Sequence, residues 1–309
     1  MVDLSVNIGS LRLKNPVITA SGTFGYGEEY AEFIDLNMLG AVTVKGLSLK
    51  PREGNPPPRI IETPSGLLNS IGLQNIGIER FIKEKLPFLR QFDTPVIVNF
   101  FGDSIEEYSD AAIALSDVEG IHALEMNISC PNKEAGWSIF GTDPATTFKV
   151  VDSVRKVTRL PLIVKLSPNV TDISLMARVA EEAGADAISL INTITGMSID
   201  IRTRRPKLAN ITGGLSGPAI RPIAVRMVWE ASKAVKIPVI GMGGIMTYED
   251  ALEFILAGAT AVAIGTANFI NPTVTVDIIS GLGRYLEGNN MKAIKDIIGG
   301  IRCDDPLLH

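Results

Sequence analysis

The chain has 309 residues, 46% of them hydrophobic and 20% charged, with 29 Lys and Arg against 34 Asp and Glu for a net charge of −5. This is the composition of a globular protein with ample core, and nothing in it suggests a surface built to hold nucleic acid or an anionic membrane. Two cysteines (Cys130, Cys303) and two histidines (His122, His309) are too few for a Cys/His zinc site or for the four thiolates of an iron–sulfur cluster, so no metal site is expected.

Residues 1–5 lack the basic and apolar segments of a signal peptide, and no apolar run approaches ~18 residues, so the cytoplasm is the expected location. Residues 4–14 alternate around Gly9-Ser10 and predict a small hairpin. A unit then recurs: a short Val/Ile-rich run, a polar or glycine exit, and an amphipathic helix. The runs cover 16–20, 41–44, 95–98, 123–126, 161–164, 187–191, 238–240 and 261–264. Near-continuous apolar runs indicate parallel strands buried on both faces, and proline, which opens several of them, is tolerated at a strand's first position.

The helices between carry recognisable ends. Residues 171–183 open on Thr171 or Asp172 as cap, carry Leu175, Val179 and Ala183 as an apolar stripe, and stop at Gly184. Thr247-Tyr248-Glu249-Asp250 starts another helix with a variant capping box, and Gly258 closes it. Counting the units predicts a single domain over 1–309, a (β/α)8 TIM barrel with an N-terminal β-hairpin. A doubly wound sheet is the runner-up. It is disfavoured because Gly241-x-Gly243 has Met246 where the dinucleotide fingerprint needs its third glycine.

Three connections, 48–75, 131–144 and 195–218, are too long for plain turns. All follow strand exits, so they are long βα-loop insertions over the C-terminal mouth of the barrel. The first holds the polar segment Asn69-Ser70-Ile71-Gly72-Leu73. The third holds Arg202, Arg204, Arg205 and Lys207, read here as a solvated face rather than a binding patch.

The residues just past each strand share that mouth, where barrel active sites lie. They are Ser21 and Gly22, Lys45 and Gly46, Asn99, Asn127 with Cys130, Lys165, Asn192 with Thr193, Gly243-Gly244, and Gly265-Thr266. Two lysines, three asparagines and a thiol are hard to explain as packing, because burying an unpaired ammonium is costly. The glycine pairs, with Gly217 and its neighbours, let backbone N–H groups approach a phosphate. The remaining ring of amides and ammonium groups suits a flat heterocycle that gains negative charge on reduction, which fits flavin mononucleotide. Cys130, beside hydrogen-bonding groups at a strand exit, is a candidate reactive thiol, and it could equally be a small core residue. A non-redox barrel lyase or isomerase using Lys45 or Lys165 as a Schiff base is the alternative from another class.

The segments Ala20-Ser21-Gly22-Thr23-Phe24-Gly25, Val44-Lys45-Gly46, Asn127-Ile128-Ser129-Cys130-Pro131-Asn132, Val164-Lys165-Leu166 and Ile191-Asn192-Thr193, with Asn69 to Asn75, Gly241 to Gly244 and Ala263 to Ala267, together resemble dihydroorotate dehydrogenase. The likeness covers essentially the whole chain and is nearest to the class 1B, NAD-linked catalytic subunit. It implies FMN-dependent oxidation of dihydroorotate to orotate in pyrimidine synthesis. By matching motif, Ser21, Lys45, Gly46, Asn99, Asn127, Lys165, Ile191, Gly217, Gly243, Gly244, Gly265 and Thr266 would hold FMN. Lys45, Asn69, Ser70, Ile71, Gly72, Leu73, Asn127, Asn192 and Thr193 would hold substrate, and Cys130 would be the catalytic base, with Lys45 pairing the substrate carboxylate. The loop 131–144 would close over Cys130. Class 2 members carry serine at that position and a membrane-associated N-terminal extension; Cys130 points away from that class, and no such extension is expected.

Electrons bound for NAD would need a partner, since this sequence has no dinucleotide fingerprint. The resemblance implies an electron-transfer subunit carrying FAD and a [2Fe-2S] cluster, in a heterotetramer of two catalytic and two electron-transfer chains. A class 1A homodimer using fumarate directly is the alternative within the family. Cys303 has no assigned role.

Overall fold

The computed structural model describes residues 2–129, 131–132 and 138–302. Eight parallel strands follow the apolar runs: β1 (Val17–Thr19), β2 (Val42–Leu47), β3 (Val96–Phe100), β4 (Ala123–Asn127), β5 (Leu162–Lys165), β6 (Ala187–Leu190), β7 (Val239–Met242) and β8 (Ala261–Ile264). They pair in the order β1-β8-β7-β6-β5-β4-β3-β2, each beside its neighbours in sequence, and a bridge from Ile18 to Ala41 joins the two ends. A doubly wound sheet would reverse its order partway, so the arrangement is the (β/α)8 barrel.

Backbone ladder bonds are sparse at the β1/β2 seam, and a side chain supplements them. Thr19 Oγ1 accepts from Thr43 N (2.8 Å) and donates to Thr43 O (3.2 Å). The prolines before β1, β3, β5 and β7 have no N–H to offer. Each gives its carbonyl to an adjacent strand, Pro16, Pro95, Pro161 and Pro238 accepting from Val262, Val42, Leu124 and Ile188 at 2.8–3.1 Å.

Among the described residues, six longer helices pack outside: α1 (Ile105–Ser116), α2 (Pro144–Val157), α3 (Ile173–Glu182), α4 (Arg221–Ala234), α5 (Tyr248–Leu256) and α6 (Val274–Gly288). Asp172 caps α3, accepting from Leu175 N at 2.9 Å, and Thr247 with Asp250 forms the capping box of α5. The stripe expected on α3 is partly wrong. Leu175 is 38% exposed, and the buried face is Ile173, Met176, Ala177, Val179 and Ala180. Leu175 is the N3 residue whose N–H meets the cap, one step round the helix from Met176.

The first two units also depart from the expected regular helix. After β1 there are only turns and a 3-10 turn at Leu36–Met38, because Gly25 and Gly27 take φ of +56° and +94°. Phe24 stacked on Tyr30 (centroids 4.2 Å apart) fills the space. After β2, the helical stretch 78–89 is interrupted by a π turn at Phe81–Lys85, just before Pro87.

The N-terminal hairpin is present, Val6–Ile8 against Leu11–Leu13, with Gly9 at φ +57° in its turn. Gly9 lies against Asp186, just before β6, so the hairpin sits at the N-terminal end of the barrel. The first and third long loops hold more regular structure than the sequence suggests. Ile194–Met197, Thr212–Ser216, Gly66–Asn69 and Ile60–Thr63 form one antiparallel sheet in that order, tying the first loop to the third at the C-terminal end. In the second loop, the backbone of Pro131–Asn132 pairs with Ser138–Ile139.

Candidate active site

At the C-terminal ends of the strands lies a cavity of about 560 Å³, within the ordinary range for a small-molecule site. Every residue expected at the mouth and described in the structure lines it. Ser21, Lys45, Gly46, Asn99, Asn127, Lys165, Ile191, Asn192, Thr193, Gly217, Gly243, Gly244, Gly265 and Thr266 meet there, and Asn69, Ser70, Ile71, Gly72 and Leu73 come down from the first loop. Cys130 lies outside the described residues, as do residues 133–137 of the loop expected to cover it, and Cys303. Arg202, Arg204, Arg205 and Lys207 are exposed and take no part in the cavity.

A bulge aims Lys45. The β2–β3 register shifts between Val44 and Leu47, and Lys45 N bonds to Gly25 O (2.8 Å) instead of to β3. Bulges re-aim side chains in this way. The neighbouring residue must be small, since a Cβ on Gly46 would stand 2.7 Å from Asn99 Oδ1. Burial, and then the charge of Arg59, hold the Lys45 ammonium below its ordinary pKa. Lys165, at the end of β5, is 6% exposed. Among the described residues, neither lysine forms an ion pair, and Arg59, lining the same cavity, donates to Gln74 Oε1 at 2.5 Å rather than to a carboxylate. The mouth therefore favours an anionic ligand.

The same cavity holds a backbone cradle. Gly217, Gly243 and Gly244 take φ of +89°, +130° and +77°, a region that disfavours any residue with a Cβ. A Cβ on Gly244 would stand 2.7 Å from Gly217 O. Among the described residues, the N–H groups of Gly244, Gly265 and Thr266 have no hydrogen-bond acceptor. Thr266 Oγ1 donates to Ser216 Oγ (2.8 Å), joining the β8 exit to the third loop. Asp250 frames the cradle from behind: it accepts from Met246 N (2.8 Å) and Thr247 N (3.0 Å) and pairs with Arg221 at the start of α4.

The amides are set by their own network. Asn127 Oδ1 accepts from Ser129 N (3.2 Å) and Asn192 Nδ2 (3.3 Å), Asn192 Oδ1 accepts from Thr193 N (2.8 Å), and Tyr108 donates its hydroxyl to Asn127 O (2.6 Å). Asn69 Nδ2 reaches Gly214 O (3.3 Å), which ties the first loop to the third. Gly72 and Leu73 follow with φ of +75° and +59°, and Asn75 anchors the loop end on Ser48 N (3.2 Å) and Gly77 N (2.8 Å).

Nothing in the sequence points to Arg59, whose place depends on the sheet over the mouth. Glu125 is missing from the expected set too, although its signal is present: it is the one carboxylate in an apolar run, two residues before Asn127 and so on the same face of β4.

Against known proteins, the family model described as dihydroorotate dehydrogenase matches residues 3–286. A protein of Thermodesulfovibrio yellowstonii named "Dihydroorotate dehydrogenase B (NAD(+)), catalytic subunit" is 60% identical over 299 residues, covering 97% of this chain and 99% of its own length. Proteins of the same name from Pelobacter propionicus (58% over 301 residues, 97% and 99% coverage) and a Thermoanaerobacter species (57% over 303 residues, 98% and 100%) are similarly close.

Proposed function

The chain belongs to the dihydroorotate dehydrogenase family, and on that premise we propose that it is the catalytic subunit of an NAD-linked enzyme that oxidises dihydroorotate to orotate in pyrimidine biosynthesis. The observation that carries the reading is a single cavity lined by a cradle of free N–H groups, by unpaired ammonium groups and by asparagine side chains.

The residues present fit FMN. The Gly244, Gly265 and Thr266 amides lack acceptors and suit its phosphate, while Gly217 and Gly244, where a Cβ would stand 2.7 Å from backbone atoms, let the chain pack closely enough to form the cradle. Ser21, Lys45, Gly46, Asn99, Asn127, Lys165, Ile191, Gly217 and Gly243 complete the proposed set. When bound, FMN supplies the acceptor for the hydride leaving substrate C6. The chain's own residues do the rest. Lys45 pairs with the substrate carboxylate, while Asn127, Asn192, Thr193 and the segment Asn69 to Leu73 grip the ring's polar edges. Cys130, as thiolate, removes the C5 proton; the free thiol's pKa of roughly 8.5 needs modest lowering for this.

A partner subunit bearing FAD and a [2Fe-2S] cluster, in a heterotetramer with two copies of this chain, would supply the route for electrons to NAD. The relatives' shared description as a catalytic subunit supports a partner. Among the described residues, no helix is long and apolar enough to cross a membrane, and we place the enzyme in the cytoplasm. The test is orotate formation by the purified, flavin-loaded chain with NAD, with and without the partner. NAD-linked turnover only with the partner supports the reading. Turnover with fumarate alone would assign the chain to the fumarate-linked class.

A further inference from the structure

The strands beneath the cavity hold a carboxylate that the mechanism above does not use. Glu125 on β4 is 2% exposed, and its two oxygens are engaged separately. Oε2 accepts from Asn99 Nδ2 on β3 at 2.6 Å, and Oε1 accepts from Ser189 Oγ on β6 at 2.8 Å. Asn99 is 1% exposed and Ser189 fully buried. Asn99 and Glu125 are direct register partners on adjacent strands. The other end of the Asn99 amide faces the mouth, its Oδ1 2.7 Å from where a Cβ on Gly46 would stand.

We propose that Glu125 is a positioning residue that fixes which end of the Asn99 amide the flavin site receives. The proposal rests on reading the cavity as that site. Both Glu125 oxygens act as acceptors here. With Asn99 Nδ2 and Ser189 Oγ both donating to Glu125, Asn99 turns its NH2 downward and presents its carbonyl oxygen to the cavity. The site gains a fixed acceptor suited to a ring N–H of the heterocycle. A neutral amide at position 125 would accept or donate equally well and leave both orientations of Asn99 satisfied. An apolar side chain would strand the Asn99 NH2, a buried donor without a partner, whenever Oδ1 faced the ligand.

FMN affinity of the apoprotein, measured by titration with FMN fluorescence as the signal, tests this without turnover. Glu125→Met is expected to weaken binding about ten-fold or more, the cost of one stranded buried donor. It should add little when Asn99→Ala is already present, because the effect passes through Asn99. A polarity swap gives a second arm that keeps shape and net charge. Asn99→Asp alone sets two carboxylates face to face and should bind weakly. Adding Glu125→Gln lets the new amide donate to the carboxylate introduced at position 99, freeing an acceptor oxygen for the mouth. The double variant should bring affinity back to within about three-fold of wild type if hydrogen-bond polarity is what matters. Equal affinity for wild type and Glu125→Met, additive losses with Asn99→Ala, or no rescue by the swap would each overturn the proposal. A wild-type apoprotein that takes up no FMN would instead overturn the flavin reading on which it rests.

Discussion

Asn192 donates its side-chain N–H to Asn127 Oδ1 across 3.3 Å, joining the exits of β6 and β4 although the residues are 65 positions apart. Both carbonyl oxygens are occupied within the protein, by Ser129 N and Thr193 N as well, so the pair offers the cavity its NH2 groups as donors. Such donors match the carbonyl oxygens of a pyrimidine ring. Asn192→Ala should keep its flavin and raise KM for dihydroorotate, lowering kcat/KM by about ten-fold to a hundred-fold for one lost hydrogen bond and a disturbed neighbour. Steady-state kinetics with flavin content measured in parallel checks this, and an unchanged kcat/KM would remove Asn192 from the substrate site.

Lys45 is held below its ordinary pKa of 10.5 by burial and by Arg59. In the window between its lowered folded value and 10.5, the unfolded chain binds more protons at this site than the folded one, so its contribution to stability rises with pH there. Below the window the charged ammonium costs stability. Lys45→Met should therefore raise the melting temperature of the apoprotein at neutral pH while abolishing turnover. The gap between variant and wild type should narrow as pH rises toward 10.5. Melting curves of the two apoproteins across pH provide the check; a gap that widens with pH would reverse the assigned sign.

Gly244 has both a left-handed backbone and no room for a Cβ, which would stand 2.7 Å from Gly217 O and 2.8 Å from Arg221 Cβ. Gly244→Ala should cost roughly 1–2 kcal/mol from backbone conformation alone and release FMN on gel filtration. Gly283, inside α6 with nothing within 4 Å of its would-be Cβ, is the control. Gly283→Ala should stabilise by about 0.5–1 kcal/mol and leave flavin affinity unchanged.

The barrel was legible because its strands are short apolar runs between capped or glycine-ended segments, and Asp172 and Thr247 marked true helix starts. That Lys45, Asn99, Asn127 and Lys165 meet in one cavity was legible because strand exits converge in that fold. The sheet over the mouth was not. Its strands, such as Gly66–Asn69 and Thr212–Ser216, are rich in glycine and polar residues, and their pairing joins residues as far apart as Leu67 and Ser216, 149 positions away. Arg59 was hidden for the same reason. The first unit misled because its glycines replace the expected helix with turns. Leu175 misled because apolar spacing alone does not say which turn of α3 faces the barrel.

The central claim is that this cavity brings dihydroorotate onto a flavin with Cys130 as the base. The most direct measurement is the rate of flavin bleaching on anaerobic mixing with dihydroorotate, comparing wild type with Cys130→Ala, both loaded with FMN. A positioned base is worth ~10²–10⁴ in rate, so the variant should stay yellow and bleach slower by about that factor. Bleaching at the wild-type rate, or a wild-type protein that dihydroorotate never bleaches, would contradict it.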